Sequence, residues 1–106
     1  MPDRALVDEV ANRLRLLADP TRLTIVCALV QGETNPSCLA ELAGVGVGAV
    51  SQHLAKLRLA GVCRPRRDGQ RVWYELVDDS VRDLVLQLLV PAAEQKPRPK
   101  ALRARA

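Results

Sequence analysis

Apolar residues return every three or four positions through the first sixty residues, the spacing of helices that bury one face. Leu6, Val7, Val10, Leu14 and Leu17 mark a first helix, with Asp3 as its cap and an end near Ala18. Asp19-Pro20 then sets a capping side chain before a proline at the first helical position, and Leu23, Ile25, Val26 and Leu29 carry a second helix to Gly32. Asn35-Pro36 repeats that signal ahead of a short third helix, CLAELA, which stops at Gly44. A fourth helix is expected from about Val47 to Ala60, with Val50, Leu54 and Leu57 facing inward and Gly61 at its C-terminal end. Two short amphipathic helices joined by a glycine-bearing turn are a helix-turn-helix candidate.

Beyond Gly61 the period shortens. VCRPRR and RVWYELV are β-prone, and they flank Asp68-Gly69, a strong hairpin-turn signal. Pro65 falls in the first strand, which is tolerable only at a sheet edge. A basic hairpin directly after a helix-turn-helix is a wing. A last helix runs from Asp79 to about Ala93, with Val81, Leu84, Val85, Leu88 and Leu89 on one face and Leu86 and Val90 on the other. A helix apolar nearly all round, in so small a domain, needs a second surface, and we read that surface as another copy of the chain. Leu6, Val10, Leu84, Leu88 and Leu89 are its expected contacts. The expected fold is therefore mainly α with a small β-hairpin, a dimeric winged helix-turn-helix. Residues 1–94 form the DNA-binding and dimerisation domain and residues 95–106 a basic tail without a packing face.

Composition supports one thin-cored domain. The 106 residues include no Phe, one Trp and one Tyr, so burial rests on aliphatic side chains. The formal charge is +4, but five of the sixteen bases lie after Gln95, which leaves eleven bases against twelve acids before it. Within that neutral body, Lys56, Arg58, Arg64, Arg66, Arg67 and Arg71 crowd into sixteen residues whose only acid is Asp68. Such a block points to a polyanionic partner. Three cysteines at no regular spacing, and an N-terminus lacking the apolar run of a secretory signal, suit a reducing cytoplasm.

The glycines of GVGVGAVSQHLAKL (Gly44 to Leu57) invite a phosphate-loop reading. A nucleotide-binding fingerprint, however, needs a strand before them and a third glycine or a Gly-Lys-Ser/Thr after them. Here a helix precedes, Ala49 stands where glycine is required, and no Lys-Ser or Lys-Thr follows. Gly44 instead suits a left-handed turn, with Gly46 and Gly48 loosening the entry to the fourth helix.

The combination of LADPTRLTIVCAL, LAELAGVGVGAVSQHLAKLRLAGV and RRDGQRVWYEL resembles the ArsR/SmtB family of winged-helix repressors over residues 5 to 90. The resemblance implies a homodimer that binds a pseudo-palindromic DNA operator and is often released by a metal ion or a redox signal.

If the fourth helix enters a major groove, Ser51, Gln52, Ala55 and Lys56 lie off its buried stripe. Gln52 suits a bidentate pair with adenine, Ser51 a base or phosphate, and Lys56 a phosphate. Where the family usually carries polar side chains this chain has Val47, Gly48 and Ala49, so close backbone approach or thymine-methyl contact would replace direct readout. His53, the only histidine, matches the family's histidine, either as a structural residue at the helix edge or as a DNA contact. On the wing, Arg64, Arg66, Arg67 and Arg71 bracket the turn and suit a narrow minor groove. Ser51 and His53 make no catalytic pair, since two helical steps turn about 200°. No other nucleophile-base or paired-carboxylate arrangement stands out, and an enzyme is not expected.

The family's metal sites are depleted. Where thiolate-type members begin the third helix with Cys-x-Cys, this chain has Asn35 and Ser37, with Cys38 one step on. The last-helix site reads Asp78, Ser80, Pro91 and Glu94, two carboxylates without an imidazole, a poor set for nickel or zinc. Cys27 matches a cysteine of the sulfur-sensing members, but its partner position holds Ala93, so Cys27 is expected to be a small buried core residue. Cys38 and Cys63 are the thiols that could oxidise or join an unusual thiolate site. With Asp78 and Glu94 they complete the weak candidate ligands for a transition metal ion. Two alternatives stay open beside the signal-released repressor: an effector-independent winged-helix regulator or activator, and a protein-interaction module on the same fold.

Overall fold

A computed structural model describes residues 1–95. The expected basic tail lies outside them, except that Gln95 belongs to the last helix. The element order is α1 (Arg4–Leu17), α2 (Pro20–Gln31), α3 (Pro36–Ala43), α4 (Val47–Leu59), β1 (Cys63–Asp68), β2 (Arg71–Leu76) and α5 (Asp79–Gln95).

The first three helices begin the same way. Asp3, Asp19 and Asn35 each accept a hydrogen bond from the backbone N–H three residues on, at 2.9 Å, which satisfies one of the donors a helix start leaves bare. Asp78 does the same for Val81 at the start of α5. Gly44 closes α3 in the left-handed region at φ 70°, where a side chain would clash with its own backbone, as the sequence leads one to expect.

Ile25, Val26 and Leu29 of α2, Leu39 of α3, and Val50, Leu54 and Leu57 of α4 form the centre of the core, each at most 2% exposed. Val62, Cys63, Leu76, Val81 and Val85 extend it toward the hairpin and α5. Cys63 is 2% exposed, which removes it as a candidate for oxidation or metal ligation. As the first residue of β1 it alternates inward opposite Leu76. Cys27 is half-buried, at the rim of the core rather than within it.

β1 and β2 pair antiparallel in the register Pro65↔Tyr74 and Arg66↔Trp73, and the turn carries Gly69 at φ 65°. On its other side Tyr74 exchanges both backbone hydrogen bonds with Thr34, at 3.2 and 2.8 Å. Tyr74 thus turns its backbone polar groups away from β1, and its partner Pro65 sits at a non-hydrogen-bonded position. The missing proline N–H costs the ladder nothing there.

α1 and α5 hold only one flank in the core. Leu6, Val7, Val10 and Leu14 of α1, and Leu88, Leu89 and Val90 of α5, are each between 42% and 66% exposed. Leu14, Leu17, Leu23, Leu84, Leu88 and Leu89 line an apolar groove of about 500 Å³ between α1, α2 and α5. No helix among the described residues is long and apolar enough to cross a membrane.

Candidate nucleic-acid interface

α4 divides cleanly by face. Val50, Leu54 and Leu57 are buried, whereas Ser51, Gln52, Ala55 and Lys56 are exposed. Its first turn differs from those of α1, α2 and α3. Gly46 occupies the capping position with no side-chain hydrogen bond to the helix, and Gly48 and Ala49 beside it are exposed. The helix therefore presents bare N–H groups behind small side chains, where the macrodipole favours an anion.

His53 is partly buried, and the Nη1 of Arg22 lies 3.2 Å from its Nδ1. The same guanidinium donates from Nε to the carbonyl of Leu16 at 2.7 Å. Arg22 thus ties the end of α1 to the edge of α4 from its place in the first turn of α2. That turn is held by Asp19, whose carboxyl the Arg22 backbone N–H keeps below its ordinary value. The sequence around Arg22 carries no signal of this role, because both partners of its guanidinium lie on other helices.

On the wing the four arginines divide by partner. Strand alternation puts Arg64 and Arg66 on one face, with Glu75, Trp73 and Arg71 opposite them, and Arg67 on the other. Arg64 donates to Glu75 at 2.8 Å, its partner in the register. Arg66 donates twice to Glu33 in the loop before α3, at 2.6 and 2.9 Å. That bond lowers the Glu33 carboxyl and raises Arg66. Arg67 and Arg71 are exposed and make no ion pair among the described residues. Neither Glu33 nor its reach of 33 residues to the wing had a signal in the sequence.

The four candidate metal ligands are not brought together. Cys63 is sealed in the core, where burial pushes its thiol up to about 11. Asp78 is engaged by the guanidinium of Arg13, which also donates to the carbonyl of Ala60 at 3.2 Å. Cys38 and Glu94 are exposed on separate elements. No group of three His, Cys, Asp or Glu side chains suited to a metal ion occurs among the described residues. The donor set named from sequence does not fit nickel or zinc, because one thiol is buried as the neutral acid and one carboxylate is already neutralised.

Comparison with known proteins bears on the fold and the family. Residues 19–63 match the family model described as "Bacterial regulatory protein, arsR family". The HTH-type transcriptional regulator KmtR of Mycobacterium tuberculosis is 41% identical over 88 residues, which cover 83% of this chain and 68% of that protein. The biofilm growth-associated repressor of Xylella fastidiosa is 38% identical over 78 residues, covering 74% and 68%. Among solved structures, the homodimeric winged helix-turn-helix DNA-binding domain of Mb0332 from Mycobacterium bovis superposes with a TM-score of 0.74. It is 33% identical, with 89% of each chain covered.

Proposed function

This chain belongs to the ArsR family and is a DNA-binding transcriptional regulator rather than an enzyme; we propose that it acts as a homodimeric repressor of a pseudo-palindromic operator in the cytoplasm. The observation that carries this reading is the division of α4, with Val50, Leu54 and Leu57 locked in the core and Ser51, Gln52 and Lys56 left to solvent. A helix held so rigidly from behind offers its outer side chains at fixed positions, as major-groove readout requires. Gln52 specifies base identity, Lys56 anchors to phosphate, and the bare start of α4 at Gly48 and Ala49 approaches the DNA backbone. Ser51 supports either contact, and Arg67 and Arg71 of the wing supply further phosphate or minor-groove contacts. His53 serves first as the strut that Arg22 holds.

Pairing two such surfaces requires a two-fold axis, and the uncovered apolar flanks of α1 and α5 provide the means. Leu6, Val10, Leu84, Leu88 and Leu89 fill the groove from the second copy. A homodimer in the similar Mycobacterium bovis domain supports this choice.

Selecting bound fragments from a random-sequence DNA pool, at a stated salt concentration and with or without nickel, zinc and a mild oxidant, tests the proposal. We expect a two-fold symmetric site bound by a dimer. Gln52→Ala should relax base preference at one position per half-site, by about 1–3 kcal/mol of discrimination. Equal losses on selected and scrambled DNA would refute the assignment of Gln52. Release by an added ion or oxidant would identify the signal, and the donor set in that case lies elsewhere than Cys63 and Asp78.

A further inference from the structure

The wing is anchored to the body by residues that lie outside it. Glu33 grips Arg66 through two parallel contacts, Nε to Oε2 at 2.6 Å and Nη2 to Oε1 at 2.9 Å. In that bidentate geometry a guanidinium has little freedom to reorient. The next residue, Thr34, exchanges both of its backbone hydrogen bonds with Tyr74. In the hairpin register Tyr74 faces Pro65, and Arg66 follows Pro65 directly. Two successive residues of one loop therefore hold adjacent positions of the hairpin, one through a side chain and one through the backbone.

An isolated exposed ion pair is worth little, because two long side chains must be ordered for a screened attraction. This pair differs in that the backbone bridge beside it already fixes the loop against the strand, so much of the ordering is done before the charges meet. The charge consequence is separate. A guanidinium already neutralised by a carboxylate releases no counterion when DNA binds, so it adds nothing to the salt dependence of binding.

Resting on the DNA-binding reading above, we infer that Glu33 is a positioning residue for DNA recognition. Its clasp on Arg66 sets the wing against the helix-turn-helix and withdraws Arg66 from the phosphate-binding charges. Arg67 and Arg71 are then the arginines with which the wing holds DNA.

The test compares full-chain variants on two probes, a duplex selected from the random pool and a scrambled duplex of equal length, over a range of salt. Arg67→Ala should lower the slope of log K against log salt by about 0.9 per subunit. Arg66→Ala should leave that slope unchanged while lowering the selected-to-scrambled ratio roughly three- to tenfold, within the coupling range of neighbouring groups. Glu33→Gln should steepen the slope by up to about 0.9 per subunit, because Arg66 is released to phosphate, with a similar loss in ratio. Exchanging the two charges, Glu33→Arg with Arg66→Glu, should restore the ratio, which a merely structural role would not require. A slope lowered by Arg66→Ala as much as by Arg67→Ala would overturn the inference, as would a Glu33→Gln protein equal to wild type in slope and ratio. Failure of wild-type protein to prefer the selected duplex would show in the first titration and would remove the DNA-recognition reading itself, and this inference with it.

Discussion

Arg22 Nη1 and His53 Nδ1 stand 3.2 Å apart, and a guanidinium can only donate, so the neutral imidazole accepts through Nδ1 and carries its proton on Nε2. The hydrogen bond joins the first turn of α2 to the helix assigned to the major groove.

From that pair we expect nitrogen NMR at pH 8 to show His53 as the Nε2–H tautomer. Arg22→Ala should destabilise the fold by about 1.5–3 kcal/mol, since hydrogen bonds from a charged donor to Leu16 and His53 are lost together. Urea denaturation measures the loss. A His53 protonated on Nδ1 would contradict the contact.

Gly44 and Gly48 should respond in opposite directions to alanine. Gly44 sits at φ 70°, so Gly44→Ala should cost about 1–2 kcal/mol through backbone strain. Gly48 lies within α4, and nothing stands within 4 Å of a methyl built on it, so Gly48→Ala should stabilise by up to about 1 kcal/mol. DNA affinity of Gly48→Ala should nevertheless fall, because the added methyl holds the DNA backbone away. Unchanged or increased affinity would count against close approach at that position.

Leu88 is 66% exposed in the single chain, so Leu88→Glu should leave each chain folded. Buried without a partner in a two-fold interface, the charge should cost about 3 kcal/mol or more and raise the dimer dissociation constant at least roughly a hundredfold. Sedimentation should then show monomers, with operator affinity lost alongside. A dimer that survives Leu88→Glu would move the interface away from α5.

The three thiols should label in the order Cys38, Cys27, Cys63, following their exposed, half-buried and buried positions. Burial raises the thiol of Cys27, and that of Cys63 to about 11 from an ordinary 9.0. Because the folded value of Cys63 lies above the unfolded one, its contribution to stability is full below pH 9.0 and is lost as pH rises toward 11. Alkylation followed by peptide mapping at pH 8, and denaturation between pH 8 and 11, read the two effects. Rapid labelling of native Cys63 would contradict its burial.

Much of the architecture was legible because its causes are local. Asp19-Pro20 and Asn35-Pro36 name helix starts by what their own side chains and φ angles can do, and Gly44 and Gly61 name helix ends likewise. The candidate interface was legible only in part. The outward stripe of Ser51, Gln52 and Lys56 follows from helical periodicity, but a run of arginines reads as uniform basicity until partners are known. Glu75 lies close enough across a hairpin to have been anticipated for Arg64, whereas Glu33, 33 residues from Arg66, was not.

The sequence by itself determined the helices, the caps of α1, α2 and α3, the hairpin and the face of α4 that meets the core, since each depends on neighbours within one or two turns of chain. Only the tertiary structure decided which charges remain available: Arg13 to Asp78, Arg22 to His53 and Arg66 to Glu33 each join residues more than thirty positions apart. The physical reason is range. A cap or a hydrophobic stripe is set by bonds along the chain, whereas whether a cation meets a phosphate or a carboxylate is set by what the folded backbone carries to within 3 Å of it.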